Sequence, residues 1–336
     1  MSKIRFLIHA VIIVSLSLPA IMYGQQKLAQ TGMGFINVST DPRAEAMGEA
    51  VTSMDGNSSS MFFNAAGMAR MGNSADVSVG MVNWIAGINH TYGSIAVSPF
   101  NGDYGVFGLT FRSVNYGDLQ QTVLATNSEG FLDVGTFSPT AYSVGLGYAN
   151  ALSDKFAVGG DISYVYQDLG STITNYDANG KYVYTKERKG VPCFDFGMIY
   201  RTGFKSFAFG MDIRSFSRQI KYEEESFDLP LIFHLGISMN VLDLWDMDSK
   251  IQSLNVAVNA THPRDYPEQV NVGLEYTFMQ MFSLRGGYMF NNDEYGITGG
   301  VGVQKQFDNL MIGLDYAYTP FGILGNVQRL AFHFSY

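Results

Sequence analysis

Charged side chains are scarce. Asp, Glu, Lys and Arg make up 15% of the 336 residues, against about 25% in an ordinary soluble domain. Cysteine occurs once, which rules out a disulfide within the chain. Cations are outnumbered, 21 Lys and Arg to 30 Asp and Glu, so a nucleic-acid partner is not expected, because phosphate binding depends on clustered Lys and Arg. Beyond residue 24 no run of 18 apolar residues occurs, and with that goes any transmembrane helix. What is abundant is apolar and aromatic: 25 Phe, 20 Tyr, 37 Gly and an apolar fraction of 46%. Disordered chains show the opposite balance.

Residues 1–24 carry Lys3 and Arg5, an apolar stretch from Phe6 to Leu18, then Pro19, Ala20 and Gly24. This pattern reads as a secretory signal peptide, cleaved after Gly24 (or after Ala20) to leave Gln25 first. An exported, apolar chain with no spanning helix is left with one membrane architecture. Lipid offers no partner to an unpaired backbone group, so only a closed β-barrel satisfies it.

The barrel shows as a two-residue period, the mark of a strand with two different faces. Leu310, Ile312, Leu314, Tyr316 and Tyr318 alternate with Met311, Gly313, Asp315 and Ala317. Val272, Leu274, Tyr276 and Phe278 alternate likewise with Asn271, Gly273, Glu275 and Thr277. Fourteen such segments between residues 75 and 336 predict an all-β transmembrane antiparallel barrel of about 14 strands. The connections alternate short (Pro99 to Gly102, Met279 to Gln280) with long (Tyr116 to Ser138, Asp168 to Val191, Ser217 to Asp228). That is the order of periplasmic turns and outer loops in the outer membrane of a Gram-negative bacterium. Trp245, Tyr288, Tyr316, Tyr318 and Tyr336 are expected at the two membrane boundaries, Trp245 in a short amphipathic turn.

Residues 25–74 do not alternate. Asp41-Pro42 is a helix start, with Asp as cap and Pro first in the helix, and Ala44, Met47, Val51 and Met54 follow at helical spacing. A lumen of this width is not filled by wall side chains alone. The segment is therefore expected to be a partly helical plug, giving three parts: 1–24 signal peptide, 25–74 plug or hatch, 75–336 barrel.

Two stretches carry a family likeness: Asp41-Pro42-Arg43-Ala44-Glu45-Ala46-Met47-Gly48, and Asp55-Gly56-Asn57 through Met61-Phe62-Phe63-Asn64-Ala65-Ala66-Gly67. With the end of the chain, Leu284-Arg285-Gly286-Gly287-Tyr288 and Leu314-Asp315-Tyr316-Ala317-Tyr318, they resemble the PorV/PorQ family within the FadL-like group of barrels. The chain departs from it at Asn64-Ala65-Ala66-Gly67, where relatives have Asn-Pro-Ala-Gly and so a fixed φ. The resemblance implies a fourteen-stranded barrel with an N-terminal hatch. It also implies a role in type IX secretion, binding the C-terminal β signal domains of exported cargo and other secretion components. The FadL-like group at large implies the alternative, passive passage of hydrophobic molecules.

Catalytic chemistry is not expected. The five His are scattered without metal-ligand spacing, no nucleophile elbow or P-loop occurs, and no cofactor is implied. Cys193 reads as a small buried thiol. More telling is the set of inward charges, Asp161, Asp195, Arg201, Asp212, Arg214, Glu275, Arg285 and Asp315. Charge on an inner wall must be paired or wet, so these side chains either brace wall to plug or line a polar path. Lys181, Lys186, Arg188 and Lys189 form a basic run in an expected outer loop, within reach of lipopolysaccharide phosphates.

Overall fold

The computed structural model describes residues 31–176, 181–222, 224–292 and 296–336; the expected signal peptide lies outside them. Eighteen strands are present among the described residues. They are β1 (Ala75–Asn83), β2 (Asn89–Val97), β3 (Val106–Asn115), β4 (Leu119–Leu124), β5 (Phe131–Phe137) and β6 (Thr140–Ala151). Next come β7 (Phe156–Tyr176), β8 (Tyr182–Arg201), β9 (Ala208–Ser217), β10 (Ile220–Lys221), β11 (Ser226–Phe227) and β12 (Ile232–Asn240). The last are β13 (Gln252–Pro263), β14 (Gln269–Phe278), β15 (Phe282–Phe290), β16 (Ile297–Phe307), β17 (Leu310–Pro320) and β18 (Asn326–Ser335). Fourteen of them form one closed antiparallel ring in which β1 pairs with β18; β4 with β5 and β10 with β11 make two small hairpins outside it. Closure is completed by paired backbone bonds between Ala75 and Tyr336, at 2.9 and 2.8 Å.

The faces follow the sequence alternation. Leu310, Ile312, Leu314 and Tyr318 are exposed while Gly313, Asp315 and Ala317 are buried, so the apolar set is turned to lipid and the small and charged set to the lumen. The exception within β8, Ile199, points inward and is buried against Ala66 and Ala208.

Two expected loops are strands instead. β7 and β8 run for 21 and 20 residues, about twice the 9–11 that cross a bilayer, and pair from Phe156↔Tyr200 up to Tyr176↔Tyr182. Lys186, Arg188 and Lys189 therefore stand on a strand that rises past the membrane. The connection before β6 likewise folds into the β4–β5 hairpin, tied to β7 by Gln121 Nε2 donating to the Ser171 carbonyl at 2.8 Å. Between β8 and β9 the register shifts at Asp195, where Ser215 takes a left-handed φ of 63°.

The largest apolar cluster sits inside the barrel at its long-connection end. Met33, Phe35 and Ile36 pack there on Val114, Val165 and Val191 of the wall.

Candidate functional site

The stretch from Thr31 to Ser74 runs along the inside of the wall. It starts at the long-connection end, where Gly32 N donates to the Asp228 carbonyl at 3.0 Å, and reaches the opposite end where β1 begins. Asp41 caps a helix as expected, its carboxylate accepting from Ala44 N at 2.9 Å, with Pro42 first. The helix is only Pro42–Ala46. The helical spacing of Met47, Val51 and Met54 is not realised as helix, because Gly48 and Glu49 both adopt a left-handed φ, 61° and 59°, which no α-helix continues. Two 3₁₀ turns follow, Ser58–Phe62 capped by Asn57 and Ala65–Met68 capped by Asn64. Ala65 takes the first position of its turn, where a Pro would have forfeited no bond. The Gly67 carbonyl accepts from Gly56 N at 2.9 Å, closing the segment on itself.

Wall glycines make room for this backbone. A Cβ on Gly273 would strike the Met47 carbonyl, one on Gly287 the Gly48 amide, one on Gly210 the Thr52 carbonyl and one on Gly159 the Ala66 amide. The glycine excess of the sequence is thus largely a footprint of the segment.

One side of the wall grips the segment with full charges. Arg43 donates through Nε and Nη2 to the two Glu275 oxygens, both at 2.8 Å, the bidentate fork that suits guanidinium to carboxylate. The same carboxylate accepts from Arg285 Nε at 2.7 Å, Arg285 pairs with Asp315, and Asp315 pairs with His333 at 3.0 Å. His333 Nδ1 lies 3.3 Å from Asn57 Nδ2, so the row returns to the segment from which it started. The Glu275 charge holds the Arg43 guanidinium above its usual pKa. A second anchor is fully buried: Arg329 meets Glu45 at 3.1 Å, and Thr319 Oγ1 donates to Glu45 Oε1 at 2.7 Å.

Among the described residues, the opposite wall grips the segment with a single ion pair, Arg201 with Asp55, and otherwise by other means. Asp161 and Asp195 face one another as register partners on β7 and β8. Asp195 accepts from Ser215 N at 2.6 Å. Arg112 donates to the Phe35 and Ile36 carbonyls and lies over the Phe62 ring, and Arg214 lies over Phe63 at 5.7 Å. Asp212 pairs with His234 at 2.9 Å, and Arg201 pairs with Asp55. Cys193 is buried.

The eight inward charges named from the sequence thus all lie on the lumen wall, with Arg43 brought to Glu275. As lumen charges, sequence reasoning passed over Glu45, Asp55, Arg112 and Arg329, and with them His234 and His333. Arg112 and Arg329 carry the parity of their strands' inward residues, a signal present in the sequence. Trp245 closes the 3₁₀ turn Val241–Trp245 and is exposed, as are Tyr288, Tyr318 and Tyr336; Tyr316 is half-buried. By strand direction Trp245 and Tyr336 lie at the short-turn end, and Tyr288 and Tyr318 at the other.

Cavities lie beside the segment toward both ends of the barrel. On the short-turn side lie cavities of about 220 Å³, against Glu275, Arg285 and Asp315, and about 360 Å³, against Asp55, Arg201 and Lys205. On the long-connection side is one of about 530 Å³, bounded by Phe35, Glu49, Trp84, His234 and Asp265. Burial and the Glu45 charge raise the Glu49 carboxyl, with Arg214, His234 and Arg329 pulling against them.

A closed ring of fourteen antiparallel strands, apolar outside and charged within around an inner segment, defines an outer-membrane-type β-barrel of FadL-like architecture. Solved structures agree on the fold. The toluene transporter TbuX of Ralstonia pickettii superposes with a TM-score of 0.58 at 13% identity, over 88% of this chain and 97% of that one. TodX of Pseudomonas putida, also a toluene transporter, gives 0.57 at 11%, over 92% and 98%. A FadL homologue of Pseudomonas aeruginosa gives 0.54 at 12%, over 88% and 98%. A search of curated proteins returned no match. The profile of the type IX secretion system membrane protein family PorP/SprF matches residues 125–335, and the chain belongs to that family. This match does not confirm the PorV/PorQ family that the terminal motifs resemble; it begins beyond the N-terminal motifs.

Proposed function

We propose that this barrel serves type IX secretion in the outer membrane by holding exported proteins at its long-connection rim through their C-terminal β signal domains, as a PorV/PorQ-like shuttle or attachment subunit without catalysis. The observation that carries the reading is the rim itself. β7 and β8 stand well above the bilayer beside the β4–β5 hairpin, a structured platform larger than a barrel needs to close its loops. In this orientation the short turns face the periplasm and the tall hairpins face outward, with lipid around the apolar band and lipopolysaccharide beside Lys186 and Arg188. The alternative, passive passage of hydrophobic molecules, is less favoured because the inner segment is fastened to both sides of the wall.

The test is co-isolation of the tagged full chain from its native outer membrane, beside a variant lacking residues 119–137. Recovery of exported proteins bearing C-terminal β domains, lost in the variant, supports the reading. Failure to recover any would sink it.

A further inference from the structure

The cavity of about 530 Å³ at the long-connection end is in the size range of small-molecule pockets, about 300–1,000 Å³. Its lining carries two carboxylates and two imidazoles, with Arg214 and Arg329 acting on Glu49 from outside the lining. Glu49 and Asp265 line it, and among the described residues neither Lys nor Arg does. Glu49 lines it just past the helix, in the left-handed step it shares with Gly48, and no hydrogen bond or ion pair reaches its carboxylate among the described residues. Asp265 accepts from Thr31 Oγ1 at 2.6 Å through one oxygen only; its other oxygen, like Asn37 Oδ1, is buried and unpartnered. Among the buried unpartnered atoms of the lining, Asp265 and Asn37 offer acceptors only, beside the Ser39 and Thr261 hydroxyls and His90 Nδ1, and a buried carboxylate oxygen without a donor is costly. The rest of the lining includes the apolar side chains of Phe35, Ile88, Ile232 and Met289.

We propose that this vestibule binds an ammonium or guanidinium group carried on an apolar stem, the cation set against Glu49 and Asp265 and the stem against Phe35, Ile88, Ile232 and Met289. A carboxylate would meet two like charges here, and a neutral hydrocarbon would leave the acceptors unanswered. The same chemistry is offered by a Lys or Arg side chain of a docked polypeptide and by a free organic cation. The inference stands on the cavity and is independent of the secretion role.

The chain has two Trp, and Trp84 lines the cavity, so Trp245→Phe leaves a single reporter in the site. The full chain in nonionic detergent is titrated at pH 8 with n-butylammonium, n-butylguanidinium and the peptide acetyl-Ala-Lys-Ala-amide, with butyrate and n-butanol as controls. Trp84 emission is expected to respond saturably to cations and not to the controls. Glu49→Gln and Asp265→Asn are each expected to weaken cation binding about tenfold, while keeping the heat-modifiable gel mobility of a folded barrel. Tighter binding of the peptide than of either free cation supports a polypeptide side chain as the source, and the reverse supports a free organic cation. Equal or tighter binding of butyrate or butanol overturns the proposal. So does an affinity unchanged in both variants, or no saturable response to any cation.

Discussion

Along β14–β18 the N-terminal segment's Arg43 and Glu45 meet a row of ionisable wall groups, Glu275, Arg285, Asp315, His333 and the buried Arg329. Along β3–β9 the segment meets the ion pair of Arg201 with Asp55, glycines as on the other wall, guanidinium groups over Phe62 and Phe63, and hydrogen bonds to its carbonyls, while two wall carboxylates confront each other. The first wall also has short connections at both ends, and the second carries the tall hairpins. One alternating pattern therefore fastens the segment on both sides, with most of the ion pairs on one and the tall hairpins on the other. The difference lies in what the inward positions carry, since the outward ones are alike.

The comparison can be broken most sharply at its strongest point. Arg329→Met strands the Glu45 carboxylate out of water and is expected to cost about 3–5 kcal/mol in refolding titrations in lipid vesicles. Arg112→Met on the other wall removes bonds to neutral carbonyls and should cost about 1–3 kcal/mol; equal losses would erase the distinction between the walls. On the lipid face the two halves should agree. Leu314→Arg on β17 and Ile162→Arg on β7 are each expected to cost about 2–4 kcal/mol near the midplane, and a large disparity would mean that the outer faces differ after all. Inside, Asp315→Asn leaves Arg285 and His333 short of a charge and should cost about 1–2 kcal/mol by the same titration. The smallest effect has the opposite sign. Asp161→Asn relieves two like charges set across from one another and should change stability by less than about 1 kcal/mol, in the stabilising direction; a loss matching that of Asp315→Asn would show both walls to be bracing.

The ring was legible because membrane strands must present two unlike faces, and Leu314 against Asp315 says so without any structure. The tall ends of β7 and β8 were not, because above the bilayer both faces are wet and Lys186-Glu187-Arg188-Lys189 has no alternation to read. The helix from Pro42 was legible at its start, through the Asp41 cap. Its end was not, since Met47, Val51 and Met54 keep helical spacing while the backbone turns at Gly48 and Glu49. Of the charged lumen, single inward residues could be named from parity, but partners could not. Arg43 and Glu275 lie 232 residues apart, and only closure of the ring brings them together.

The wall glycines have a practical consequence for chimeras. Gly159, Gly210, Gly273 and Gly287 are a mould of one particular path, cut so close that a methyl group at any of them would displace the backbone it admits. Barrel and inner segment are therefore a matched casting. Exchanging residues 31–74 alone with those of another barrel should fail where that barrel's glycines trace a different route, and transplanting the four glycines along with the segment is the minimum exchange that keeps the two in register.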